Sequence, residues 1–129
     1  MIKKITPVLI VERIEPLLPL WDALGFARAA EVPHGDALGF VILTRDGVEV
    51  MYQTFDSVRG DEPKVLDGAR AIGASAVFIE VENLESLKAQ IPDGTDIVVA
   101  SRQTFYGSTE TIIRDAAGNV ITFAQFAAS

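Results

Sequence analysis

Thr109 to Phe126, TETIIRDAAGNVITFAQF, reads as two strands joined by a tight turn. Thr111-Ile112-Ile113 and Val120-Ile121-Thr122-Phe123 are β-branched and aromatic runs, and Asp115, Gly118 and Asn119 between them tolerate the positive φ of a hairpin. A fainter copy, Phe40 to Phe55 (FVILTRDGVEVMYQTF), lies about 70 residues upstream with Asp46-Gly47 as its turn. The doubling organises the chain.

Working outward, Ile5 to Val11 is a near-continuous apolar strand. Ile14, Leu17, Leu18, Trp21 and Leu24 recur at helical spacing, and Gly25 stops that helix. Pro16 suits the first turn, whereas Pro19 is awkward further in. Phe26 to Val32 is the next strand, followed by a loop around Pro33, His34, Gly35 and Asp36. From Asp56 to Gly68 the chain turns polar and aperiodic, which predicts a mobile connector. Ala69 to Ala74 is small and apolar. Ser75 to Val81 reads as a strand, Asn83 or Ser86 caps a helix through Ile91, Ile97 to Ala100 is a strand, and Arg102 to Ser108 is a loop.

Laid side by side at an offset of 70, the halves match: Val11 on Val81, Glu12 on Glu82, Ile14 on Leu84. Each reads β-α-β-β-β. The expectation is one α+β domain, 1–129, of two βαβββ modules in tandem pseudo-twofold repeat, spanning 1–58 and 71–129 about a connector at 59–70.

A chain of 129 residues, 49% hydrophobic, is long enough to bury a core, and with no cysteine it offers neither disulfides nor thiolate chemistry. A net charge of -7, with 11 basic residues scattered among 18 acidic ones, argues against nucleic acid. It is compatible with a cationic ligand. No apolar run approaches the roughly 18 residues of a membrane span, and the first one is broken by Pro7 and closed by Glu12 and Arg13, so a soluble, cytoplasmic protein is expected. There is no phosphate-cradling glycine loop, nucleophile elbow or paired-histidine spacing. His34, alone in a Pro-Gly loop, reads as solvated.

The residues resemble the vicinal oxygen chelate superfamily, which includes glyoxalase I, extradiol dioxygenases and the fosfomycin- and bleomycin-resistance proteins. The resemblance rests on Val11-Glu12-Arg13 and Val81-Glu82-Asn83, on Trp21-Asp22-Ala23-Leu24-Gly25-Phe26, on Tyr106-Gly107, and on Arg114-Asp115-Ala116-Ala117-Gly118-Asn119-Val120-Ile121, with Ala116 where proline is usual. It implies curled sheets around a shared cavity, often with a homodimer completing the site. In the metal-using members four ligands occupy places that correspond here to Thr6, Met51, Ala76 and Thr122. A methyl, a thioether and two neutral hydroxyls suit no divalent ion, so neither metal nor cofactor is expected, and the resemblance is nearest to the metal-free bleomycin-resistance-like branch.

If those four positions face the cavity, strand alternation adds Val8, Ile10, Glu49, Gln53, Phe78, Glu80, Ala124 and Phe126. Leu9, Val48, Val50, Tyr52, Val77, Ile79, Val81, Ile121 and Phe123 face the helices. The nominated ligand-binding set is Glu49, Met51, Gln53, Phe78, Glu80, Arg102, Tyr106, Thr122 and Phe126. Arg102 and Tyr106 enter from their aromatic loop, and Phe55 and Tyr106 are expected near a cavity mouth. Glu49 and Glu80 have two readings, as ligand groups or as charges that face water or pair with Arg102 or Arg114. Met51 and Phe78 equally suit packing, and Trp21 the core or a dimer interface. The resulting expectation is a dimeric, metal-independent protein binding a small organic ligand, such as a cationic antibiotic. The alternative is a lyase, isomerase or dioxygenase of the same superfamily, with misplaced ligands or a metal-free Glu49 or Glu80 base.

Overall fold

The computed structural model describes residues 1, 4–66 and 75–127. In chain order these form β1 (Val8–Val11), a 3-10 turn (Glu15–Leu17), α1 (Leu18–Ala23), β2 (Ala27–His34), β3 (Ala37–Arg45), β4 (Val48–Thr54), α2 (Phe55–Asp61) and a second 3-10 turn (Pro63–Leu66). Then come β5 (Ala76–Glu80), α3 (Leu84–Gln90), β6 (Asp96–Gln103), β7 (Ser108–Arg114) and β8 (Val120–Phe126). The strands make two four-stranded sheets ordered β1-β4-β3-β2 and β5-β8-β7-β6. In each, the first and last strands pair in parallel and the hairpins antiparallel.

The repeat holds at the level of single rungs. Met51 lies opposite Val8 and Ile42, and Thr122 opposite Phe78 and Ile112. Gly25, at φ 81°, turns the chain out of α1, and Gly94, at φ 87°, shapes the 92–95 turn after α3, each just before an edge strand. In the first hairpin Asp46 and Gly47, at φ 53° and 80°, make the two-residue turn that the right-handed strand twist favours.

Several elements differ from the sequence reading. The helix predicted over Ile14 to Leu24 is split into a 3-10 turn and a short α-helix, so both Pro16 and Pro19 stand in first turns, where a missing N–H costs nothing. The strands around His34 and Arg102 run further than expected: His34 ends β2, Arg102 and Gln103 belong to β6, and Ser108 opens β7. The polar segment after Phe55 is not an irregular connector up to Leu66. Thr54 caps α2 by accepting from Ser57 N at 3.1 Å, and Phe55 and Val58 are buried. Two apolar residues three apart gave too little periodicity to announce a helix of two turns. The run Ala69 to Ala74 lies outside the described residues.

One apolar cluster spans both halves. Leu9, Val11, Val41, Leu43, Val50 and Tyr52 pack against Leu17, Leu18, Leu20, Trp21 and Leu24, and Leu84, Ile113, Ile121 and Phe123 continue it. The expected helix-facing parity holds, except that Val48, at the hairpin end, is 56% exposed. Trp21 meets Phe26 edge-on at 4.8 Å and Tyr52 at 6.2 Å. Its indole N–H donates to the Tyr52 hydroxyl at 3.2 Å, which donates to Asp115 Oδ2 at 3.0 Å. The other carboxylate oxygen accepts from the Ala117 and Asn119 amides, and Asn119 Oδ1 from Ser75 N. This buried relay ties the first core to the second hairpin. Burial, with the Asp115 carboxylate beside it, pushes the Tyr52 hydroxyl far above its ordinary pKa and keeps it a donor.

Candidate functional site

With Thr111, Ile113, Ile121 and Phe123 turned toward the core, alternation turns Ser108, Glu110, Ile112, Thr122, Ala124 and Phe126 to the other face of the second sheet. Glu110 lies at its centre with a fully buried side chain. Its Oε1 accepts from Arg102 Nε at 3.0 Å and Nη2 at 2.8 Å, while Oε2 accepts from the Tyr106 hydroxyl at 2.6 Å and the Ser108 hydroxyl at 2.8 Å. Burial alone would raise the Glu110 pKa, but the hydrogen bonds from Tyr106, Arg102 and Ser108 outweigh it and hold the carboxyl below its usual range. The hydrogen bond to Glu110 in turn raises the Arg102 guanidinium.

Fixing that carboxylate fixes an aromatic wall. Tyr106, on the turn between β6 and β7, stands with its ring centroid 6.3 Å from Phe126 and 5.1 Å from Phe105, and Phe126 stands 6.4 Å from Phe78. Phe78 pairs with Thr122, and Phe126 lies two rungs further along the same face, so the two rings lean together over the rung of Glu80 and Ala124. Ala124 is fully covered, while Phe78, Tyr106 and Phe126 remain 54%, 43% and 38% exposed. Glu80, on the edge strand of this rung, has no ion pair among the described residues.

Of the nominated residues, Phe78, Glu80, Arg102, Tyr106, Thr122 and Phe126 therefore share one face. Glu49, Met51 and Gln53 occupy the equivalent face of the first sheet, where Glu49 accepts from Lys4 Nζ at 3.0 Å and Thr6 Oγ1 at 3.5 Å, and Gln53 donates to Ser57 Oγ at 3.1 Å. Neither acidic candidate pairs as the sequence suggested: Arg102 goes to Glu110 and Arg114 to Asp96. Phe55 is not at a mouth but buried, with the Arg59 guanidinium 5.9 Å above its ring. Two open grooves, of about 250 and 300 Å³, are lined wholly by the second half, so neither is the cavity between sheets that the resemblance implied.

Glu110 and Ser108 escaped the sequence reading, although the signal was present. A lone carboxylate in the strand Ser108–Arg114, two residues after a serine and eight after an arginine, is where a strand buries a charge only with partners. For a metal, the positions Thr6, Met51, Ala76 and Thr122 supply no anionic or imidazole donor and do not fit. Among the described residues, no three His, Cys, Asp or Glu side chains cluster as a metal site.

The sequence matches no protein-family model and no curated protein. The fold is nevertheless shared with solved structures. TioX from Micromonospora sp. ML1 is 18% identical, with a TM-score of 0.74 over 97% of this chain and 99% of that one. A bleomycin resistance determinant encoded on the transposon Tn5 is 16% identical, with a TM-score of 0.66 over 98% of this chain and 100% of that one. Lactoylglutathione lyase from Agrobacterium tumefaciens is 12% identical, with a TM-score of 0.74 over 95% and 92%. This chain thus has the architecture of the glyoxalase, bleomycin-resistance and dioxygenase proteins. That is the vicinal oxygen chelate fold, two βαβββ modules in tandem.

Proposed function

We propose that this protein binds a small organic ligand without a metal, on the aromatic face of its second sheet, and acts by sequestering it. The observation that carries the reading is the Phe78, Phe126 and Tyr106 wall, left open to solvent and braced by the buried Glu110 carboxylate. Exposed rings on a rigid sheet gain from stacking on a flat or apolar ligand, and the anchoring hydrogen bonds reduce the entropy lost when it binds.

Charge favours a cationic ligand. Arg102 is answered by Glu110, which leaves Glu80, beside two phenyl rings, as a carboxylate of this face with no ion pair among the described residues. A carboxylate next to aromatic faces suits an organic ammonium group. Because both sheets leave this face open, a second copy is the natural cover, and a homodimer is part of the proposal. An antibiotic carrying a cationic group would meet these requirements.

Calorimetric titration with benzyltrimethylammonium, before and after exhaustive chelation, tests the reading. Equal affinity in both samples is the expected result, with losses of about tenfold in Phe78→Ala and Phe126→Ala, the size of one lost stacking contact. Affinity that disappears on chelation, or that survives both substitutions, would sink it. Native mass spectrometry of the same samples reads the subunit count, and a strictly monomeric protein would remove the dimer from the proposal.

A further inference from the structure

On the opposite side of the second sheet, between α3 and β6, runs the groove of about 300 Å³, lined among others by Ile91, Pro92, Asp93, Thr95, Ile97 and Thr111. Its origin is visible in the repeat. At the offset of 70 that lays Ile14 on Leu84, Trp21 in the first half corresponds to Ile91 in the second. Phe26 and Thr95 each stand between a positive-φ glycine and the first residue of an edge strand. Where the first half packs an indole against a phenyl ring at 4.8 Å, the second has an isoleucine and a threonine. The backbone frame is kept and the ring volume is missing.

Polar groups on the lining select the chemistry. Thr95 Oγ1 donates to the Pro92 carbonyl at 2.7 Å and Thr111 Oγ1 to the Ala100 carbonyl at 2.9 Å. The Thr95 hydroxyl hydrogen is thereby used and its oxygen is left as an acceptor, whereas Thr111 is buried at 1% exposure and forms the floor. Lys88 stands 3.6 Å from Glu85, and the Asp93 carboxylate of the lining has no ion pair among the described residues. A cavity of roughly 150 Å³ is enough to take up benzene, so this larger, open groove has room for one or two fused rings.

We propose that the groove is a second binding site, for a one- or two-ring aromatic compound bearing an N–H donor. The ring lies where Trp21 and Phe26 lie in the first half, and the N–H meets acceptors of Thr95 or Asp93. This site is independent of the aromatic face on the other side of the sheet.

The test is an amide-resolved NMR titration of the full chain with indole, and with benzofuran as the isostere that lacks the N–H. Indole is expected to shift amides of residues 91–100 and of Thr111, and benzofuran to bind about fivefold more weakly, the size of one hydrogen bond. Thr95→Phe, which restores the ring of the first half, is expected to weaken indole at least about tenfold. The proposal is overturned by wild-type protein that shows no such shifts, by benzofuran binding as tightly as indole, or by unchanged affinity in Thr95→Phe. Shifts confined to Phe78, Tyr106 and Phe126 would move indole to the other face and overturn it equally.

Discussion

The two halves share a backbone plan and divide the labour. In the first, the helix side is filled by Trp21, Leu17, Leu20 and Leu24, and the equivalent of Glu110 is Phe40, opposite Gln53. In the second, α3 contributes Leu84 as its one fully buried residue, while Leu87 and Ile91 are only partly covered, and a carboxylate sits at the centre of the open face. Duplication keeps the strand register. It leaves side chains free to make one copy a packed core and the other a more open, polar and aromatic face, because a single substitution on a fixed rung changes what a face carries without moving the rung.

The largest expected contrast is in stability. Trp21→Ala should cost about 3–5 kcal/mol in urea unfolding, since it empties a fully buried indole site, whereas Ile91→Ala at the corresponding, only partly covered place should cost about 2 kcal/mol or less. Similar costs at both places would erase the distinction between packed and open halves. Next is the relay between them. Tyr52→Phe removes the group that joins Trp21 to Asp115 and should cost about 1–3 kcal/mol, with a matching fall in melting temperature. A neutral outcome would mean the halves are joined by apolar packing alone.

Acid sharpens the comparison. Glu110 has a folded-state pKa below its unfolded one, so it stabilises the fold fully above the ordinary glutamate value of about 4.3 and loses that contribution as pH falls through the lower folded value. Unfolding followed from pH 6 downward should therefore show a steeper loss below about pH 4.3 in the wild type than in Glu110→Gln. Parallel curves would show that the Arg102 pair contributes nothing to the folded state. The smallest effect separates the two helices: α1 has no side-chain cap, whereas Asn83 Oδ1 accepts from Ser86 N at 3.0 Å ahead of α3. Asn83→Ala should cost about 1 kcal/mol, a loss that a fully packed helix would hide and a thinly packed one will not.

The sequence carried most of the frame, because hairpin turns such as Asp46-Gly47 and the alternation of Val50 and Tyr52 against Met51 and Gln53 are local signals. It placed Phe78, Tyr106 and Phe126 on or beside the right strands. It could not show that Phe78 and Phe126 meet across two rungs, since that depends on how the rings lean over Ala124 rather than on spacing. Glu110 was missed for a related reason: its partners Arg102, Tyr106 and Ser108 come from two strands and a turn, and one sequence gives no direct reading of pairing register. The α2 helix was hidden because its short buried stripe, Phe55 and Val58, is flanked by charge.

The central claim is that the second half alone carries the ligand surface. Side-chain NMR of the aromatic and methyl groups, recorded while benzyltrimethylammonium is added, tests it most directly. Shifts are expected at Phe78, Tyr106 and Phe126 and none at Phe40 or Met51. Shifts led by Phe40 and Met51, with the Phe78 and Phe126 resonances unmoved, would contradict it.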